Sequence, residues 1–285
     1  MGAEIDTFIA PSDGMLTLGR MPREVISVAG REPAPVTRAR TNTAATTPST
    51  PATSLTGVLF DLDDVLYDAS AWDRWLSQIF GRLSLRAVEA AFTPLWRDSF
   101  LPAIHRGQQE FQLALACCLT SIGLAPSHVE EIVAASRAQR RRESNNLRPF
   151  PGVRNTLERL QAAGIGRTVL ANTDRSAQAL RGQLDRLGLS KQFEKVISST
   201  DLKASLCDDT CYQQAIATIQ RAPGELLFVG HCPRDLQVAQ TAGFKTVAFN
   251  LPQPPSGIKR IDRFEELLAI VLPPNATPAD CHRAV

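Results

Sequence analysis

The sequence lacks the features that would assign it to a membrane, exported or nucleic-acid-binding class. It has no apolar run near the roughly 18 residues that a bilayer-spanning helix needs. Its first residues, MGAEIDTFIAPSD, carry no basic flank before an apolar stretch. Its 31 basic and 29 acidic residues nearly cancel, to a formal net charge of +2. We therefore expect no export signal, no membrane partner and no charge-driven binding of nucleic acid.

Cysteine is sparse for a protein that is held together by disulfides. The chain has six cysteines among its 285 residues, and their spacing is irregular. A small secreted scaffold would show a denser and more regular pattern. We therefore expect reduced thiols and a cytoplasmic location.

Two terminal segments are short of the large apolar side chains that drive folding. Residues 31–54 consist mainly of Pro, Thr, Ala and Ser, so they cannot bury enough surface to offset the entropy that ordering costs. The last residues are polar. We expect a disordered or weakly ordered N-terminal extension over residues 1–54 and a flexible tail over residues 273–285.

The pattern of apolar residues between these segments is typical of an α/β fold. At residue 55 the run LTGVLFDLDDVLYD indicates a buried strand of a parallel sheet and the loop that leaves it. Residues 69–148 have helical spacing, and from residue 149 helical and strand patterns alternate. This predicts a Rossmann-like parallel sheet with helices on both faces, built from residues 55–68 and 149–272. The strands of such a sheet end at one edge, where ligands bind.

Motifs at the predicted strand ends resemble those of the haloacid dehalogenase (HAD) superfamily. The run VLFDLDDVLYD is similar to the first motif of its phosphatases, an apolar strand followed by Asp-x-Asp. PFPGV and VLANTD flank the next strand, and FVGHCPRDLQVAQTAGFKTV resembles the last motif. The similarity extends from Leu55 to about Leu251. It implies a HAD-like core, with residues 69–148 inserted as a small α-helical cap domain over the substrate.

The resemblance also implies roles for five residues. Asp61 would be the nucleophile that forms an aspartyl-phosphate, and Asp63 the general acid and base. Asn172 and Thr173 would lie at the substrate, and Asp61, Asp63 and Asp235 would hold Mg²⁺. The second carboxylate of Asp-x-Asp is typical of the family's phosphatases and is missing from its dehalogenases. It therefore favours phosphoryl chemistry.

The sequence departs from the family pattern at three positions. Ala171 stands where the second motif has a Thr or Ser hydroxyl, and Leu206 stands where the third has a Lys. His231 replaces an aspartate of the fourth motif, and a neutral imidazole is a poor Mg²⁺ ligand. Lys203 could replace the missing lysine, although a surface lysine is the simpler interpretation. We expect a weakened Mg²⁺ site.

Three further sets of residues invite a functional interpretation. The set Cys207, Cys211, His231 and Cys232 adjoins the altered motifs and could hold Zn²⁺, although cysteine is often a small buried apolar side chain. In the predicted cap, the tryptophans are more typical of a core, although they and His105 could line the substrate cleft. The run Arg140–Arg142 could contact an anionic ligand or partner, although a solvated helix end is the simpler interpretation.

Three functions are compatible with this sequence. The first is a catalytically impaired or non-catalytic member of the family that binds a small phosphorylated molecule or a protein partner. The second is an active Mg²⁺-dependent phosphatase of small phosphate esters. The third is an interaction module whose N-terminal extension binds a partner. The altered second, third and fourth motifs favour the first, and the intact Asp61 and Asp63 favour the second over the third.

Overall fold

A computed structural model describes residues 54–272 of the chain. The predicted N-terminal extension, apart from its last residue, and the predicted tail lie outside this range. Within it, none of the helices has the length and apolar composition to span a bilayer. The five cysteines of the range are free thiols, and the cytoplasmic location stays a prediction.

The core is a sheet of six parallel strands in the order β3-β2-β1-β4-β5-β6. Its central strand pairs on both sides, with Val58 opposite Arg167 on one neighbour and Leu227 on the other. The strands are β1 (Gly57–Phe60), β2 (Gly166–Ala171), β3 (Lys195–Ser198), β4 (Leu226–Gly230), β5 (Lys245–Phe249) and β6 (Lys259–Ile261). The α/β fold and the first five strands are therefore confirmed. The sixth was not predicted, because only one of its three residues is buried and no apolar pattern marks it.

Helices cover both faces of the sheet. Successive residues of a strand point to opposite faces, so Val58 and Phe60 pack into one apolar cluster and Leu59 into the other. The first cluster includes residues of α6 (Val153–Ala162), α7 (Ala177–Arg186) and α11 (Glu266–Val271). The second includes residues of α9 (Asp209–Ile219) and α10 (Pro233–Thr241). A short helix, α8 (Ser199–Leu202), follows the third strand.

The segment between β1 and β2 is helical, as the sequence predicts, and we call residues 69–148 the helical insert. It has an apolar cluster of its own, in which Trp96 is buried and stacks on Phe92. The Trp72 indole donates to Ser136 Oγ at 3.1 Å. The tryptophans therefore serve the packing of the insert. Its helices are α1 (Ala71–Arg82), α2 (Arg86–Leu95), α3 (Leu101–His105), α4 (Phe111–Ser121) and α5 (Pro126–Asn146), with a π-helical turn over Trp96–Phe100.

Burial predicts a sharp contrast between two leucine-to-alanine variants. Leu170 is fully buried in β2, whereas Leu113 on α4 is 60% exposed. We expect Leu170→Ala to lower the free energy of unfolding by about 2–5 kcal/mol, because it leaves a cavity. Leu113→Ala should change it by less than about 0.5 kcal/mol. Urea denaturation of both variants measures the difference, and equal effects would contradict this packing.

Candidate active site

The first carboxylate of the site is fixed by the central strand. The Asp61 amide, one residue beyond β1, donates to the carbonyl of Val229 on β4 at 2.9 Å. The Asp61 side chain is buried, and its Oδ1 accepts the amide of Leu62 at 2.8 Å. Asp61 therefore lies at the carboxyl edge of the sheet, where the sequence places it.

The loop after Asp61 folds back and brings a tyrosine to the second carboxylate. Asp64 has a φ of 58°, and its amide donates to the carbonyl of Tyr67 at 2.9 Å. The Tyr67 hydroxyl donates to Asp63 Oδ1 and accepts from Gln183 Nε2 at 2.7 Å. Gln183 belongs to α7, so the helix after β2 supports the loop after β1. The sequence does not reveal this link, because its partners are 116 residues apart.

The third carboxylate is bound by neutral donors. Asp235 is buried in the first turn of α10, and its Oδ2 accepts Asn172 Nδ2 at 3.2 Å. Its Oδ1 accepts the Cys207 thiol at 3.2 Å. Asn172 Oδ1 in turn accepts the amide of Leu206 at 2.9 Å. Asn172 and Asp235 therefore meet at this edge of the sheet, as predicted, but chiefly bind one another and the loop before α9.

The hydroxyl near the end of β2 comes from Thr173. Ala171 is fully buried as the last residue of the strand. Thr173 Oγ1 accepts the amide of Arg175 at 3.2 Å, and the Thr173 amide donates to Ser199 Oγ at 2.9 Å. Thr173 lines the cleft described below. Its hydroxyl keeps a proton to donate, while its role toward a substrate stays a prediction.

Among residues 54–272, no lysine lines the cleft described below. Leu206 is fully buried in the apolar cluster under α9 and α10. Lys203 is exposed just after α8, with a φ of 53°, and is absent from the lining of the cleft. The simpler interpretation of Lys203 as a surface residue therefore fits the structure.

The arrangement of the described side chains gives no support to the zinc hypothesis and leaves the Mg²⁺ roles untested. Among residues 54–272, no group of three or more His, Cys, Asp or Glu side chains is disposed to hold a metal. His231 Nδ1 lies 2.9 Å from the carbonyl of Phe249, and both Asp235 oxygens are hydrogen-bonded. The zinc hypothesis therefore has no support from the described residues. The metal roles of Asp61, Asp63 and Asp235 stay predictions.

A cleft of about 160 Å³ opens beside Asp63, between the strand ends and the helical insert. The insert contributes Arg140, whose guanidinium donates to Asp174 at 2.8 Å and lies 3.7 Å from the Phe111 ring centroid. The prediction of a solvated helix end is therefore wrong for Arg140. The reason is that the helical spacing of α5 does not show that this position faces the cleft. The other lining residues include Tyr67, His105, Thr173, Arg175 and Gln183. His105 is neutral there, because burial lowers its pKa to about 4.

Comparison with known proteins identifies the family. Residues 55–243 match the family model of the haloacid dehalogenase-like hydrolases. This chain belongs to that family. It is 27% identical to phosphoglycolate phosphatase of Agrobacterium fabrum over 197 residues, which cover 66% of this chain and 78% of that protein. It is 23% identical to (S)-2-haloacid dehalogenase 2 of a Pseudomonas species over 198 residues, which cover 68% and 83%.

Solved structures of other members share the fold of this HAD-like hydrolase. L-2-haloacid dehalogenase from Xanthobacter autotrophicus matches with a TM-score of 0.51 and 22% identity, over 68% of this chain and 77% of that one. The HAD-hydrolase YfnB from Bacillus subtilis matches with a TM-score of 0.56 and 19% identity, over 77% and 100%. At such identities the likeness establishes the fold and leaves the activity open.

The three carboxyl groups of this HAD-like site are harder to ionise than free aspartate. Burial, reinforced by the charges of Asp235 and Asp63, raises the pKa of Asp61 well above its ordinary value. Burial also raises the pKa of Asp235. Asp63 is exposed beside the cleft, but the protein around its carboxyl group limits hydration and raises its pKa to about 6. The hydrogen bond from the Tyr67 hydroxyl acts in the opposite direction and lowers this pKa. The surroundings of these groups therefore disfavour their ionised forms.

The bond from Tyr67 predicts a change in the titration of Asp63. Because this hydroxyl stabilises the ionised carboxyl, Tyr67→Phe should raise the pKa of Asp63 further above about 6. Carboxyl ¹³C chemical shifts, with Asp63→Asn to assign the resonance, measure the change. Tyr212→Phe is the matched control, since Tyr212 donates to the Asp235 carbonyl instead. A pKa that is unchanged or lower in Tyr67→Phe would contradict the proposed bond.

Proposed function

We propose that this HAD-like hydrolase binds a small phosphorylated molecule in the cleft and turns it over very poorly. The observation that carries the proposal is the state of Asp235. Both of its oxygens are bonded to neutral donors, the Cys207 thiol and the Asn172 amide. A carboxylate held in this way is poorly placed to serve a metal ion or a phosphoryl group. We infer that Mg²⁺ binds weakly.

The residues for the first chemical steps are nevertheless present. Asp61 at the end of β1 could attack phosphorus, which would form an aspartyl-phosphate and release the alcohol. Asp63 could protonate the leaving oxygen, because its pKa of about 6 keeps part of it protonated near neutral pH. The retained pair is therefore compatible with some residual turnover.

The site has too little positive charge at the position that a phosphoryl group would occupy. Leu206 supplies an apolar side chain in place of the family's lysine. His231 stands in place of an aspartate and lies against the Phe249 carbonyl, so it supplies no carboxylate to hold the positive charge of Mg²⁺. Removing one electrostatic stabiliser from an active site typically slows the reaction by on the order of a hundred- to a thousand-fold. Because residues that act as a unit are not additive, several such changes need not multiply. They still favour binding over turnover.

The helical insert would act as a cap over the bound molecule. Besides the local pair of Arg74 with Asp68, two ion pairs connect it to the loops at the sheet edge. Arg106 makes two hydrogen bonds to Asp208, at 2.7 and 2.8 Å, and Arg140 pairs with Asp174. These residues are partly exposed, so each pair contributes about 1 kcal/mol or less. Such weak connections fit an insert that closes over a ligand and opens again.

The alternative is an active Mg²⁺-dependent phosphatase. It is supported by the intact Asp61 and Asp63 and by the similarity to a phosphoglycolate phosphatase. The similarity to a haloacid dehalogenase is comparable, yet Asp63 stands where the family's dehalogenases lack a carboxylate. Phosphoryl chemistry is therefore the reaction to test first.

Turnover of a panel of phosphate esters with Mg²⁺ separates the two functions. The variants are Asp61→Asn and a matched control, Asp185→Asn, on the exposed face of α7. We expect rates at least about ten-thousand-fold below a typical turnover of roughly 10 per second, with any residual rate lost in Asp61→Asn and kept in Asp185→Asn. Faster turnover that vanishes in Asp61→Asn and survives in Asp185→Asn would establish the active phosphatase instead.

A further inference from the structure

The cleft contains one cation that the protein leaves largely unused. Arg175 Nη1 donates to Gln183 Oε1, and its Nε lies 3.9 Å from Asp174 Oδ1. A guanidinium has five N–H donors. Within residues 54–272 no further acceptor meets the Arg175 head, which is 30% exposed and lines the cleft. Several of its donors are therefore free for a ligand.

The other arginine of the cleft is committed to the protein. Arg140 approaches Asp174 at 2.8 Å, much closer than Arg175 does at 3.9 Å, and it also lies over the Phe111 ring. The charge of Asp174 is therefore used mainly by Arg140. Arg175 keeps only the longer contact with Asp174, and the charge of Asp63 acts on it without a hydrogen bond between them.

The position of Arg175 is fixed before any ligand binds. Its amide donates to Thr173 Oγ1 at 3.2 Å, and its carbonyl accepts from Ser198 Oγ at 2.5 Å. The Gln183 amide that holds its guanidinium also donates to the Tyr67 hydroxyl. A side chain anchored in this way loses little freedom on binding.

We propose that Arg175 is the residue that binds the oxyanion group of the ligand. This inference rests on the proposed function, because it assumes that the cleft binds an anion. The planar guanidinium matches the oxygens of a phosphate or a carboxylate. The cleft of about 160 Å³ limits the ligand to a compact molecule.

Calorimetric titration of the full chain with inorganic phosphate, and separately with acetate, tests the assignment. The variants are Arg175→Gln, Arg175→Lys and a control, Arg181→Gln, which removes an exposed arginine of the helix that follows, α7. We expect Arg175→Gln to weaken binding by about 10- to 100-fold, the range for loss of a charged hydrogen bond. Arg175→Lys should bind with an affinity between those of the wild type and Arg175→Gln, because lysine keeps the charge but lacks the planar, two-pronged guanidinium. Arg181→Gln should bind like the wild type.

The outcomes show separately whether the role of Arg175 fails and whether the proposed function fails. If the wild type binds an anion and both Arg175 variants bind equally well, Arg175 is not the receptor, while the proposed function stands. If the wild type binds neither anion, both are wrong. Tighter binding of phosphate than of acetate identifies a phosphorylated ligand, and the reverse order identifies a carboxylate. Should Arg175→Gln fail to fold, as its melting temperature would show, Arg175→Lys alone decides.

Discussion

Burial of carboxyl groups at one edge of a parallel sheet is the constraint on which this site depends. Asp61 and Asp235 are buried there with Asp63 beside them, and loss of hydration is the main reason why the pKa of each is raised. The groups that donate hydrogen bonds to them are neutral: backbone amide, phenol, thiol and side-chain amide. Neutral donors stabilise a carboxylate less than a cation does. These hydrogen bonds therefore offset only part of the cost of removing the carboxyl groups from water.

The two sides of the site differ in what they offer a ligand. On the side of Asp235 the polar atoms are occupied by internal hydrogen bonds, and Leu206 packs there in the apolar core. The cations lie on the cleft side, where Arg140 holds the insert and Arg175 has unused donors. A ligand that carries negative charge would therefore be bound mainly by the residues on the cleft side. The transfer of a phosphoryl group to Asp61 needs positive charge beside Asp61 and Asp235, and this requirement is the reason why the proposed function separates binding from turnover.

The sequence predicts the fold and the meeting of the acidic residues, because buried parallel strands have a strong apolar pattern and share one edge. Strand β6 has no such pattern. The contacts that define the site's chemistry depend on side-chain positions that no local pattern encodes. The bond from Gln183 to Tyr67 joins distant segments, and Cys207 turned out to be a donor to Asp235 rather than part of a zinc site. Arg140 looked solvated because helical spacing cannot show what the far end of a helix faces.

The most direct test of this account is whether the acidic edge holds a divalent cation. Titration of the full chain with Mn²⁺, a carboxylate-binding substitute for Mg²⁺, can be followed by electron paramagnetic resonance in the wild type, Asp235→Asn and His231→Asp. The account predicts no stoichiometric Mn²⁺ binding in the wild type and a gain in His231→Asp, which adds a free carboxylate. Stoichiometric binding by the wild type that disappears in Asp235→Asn would contradict it.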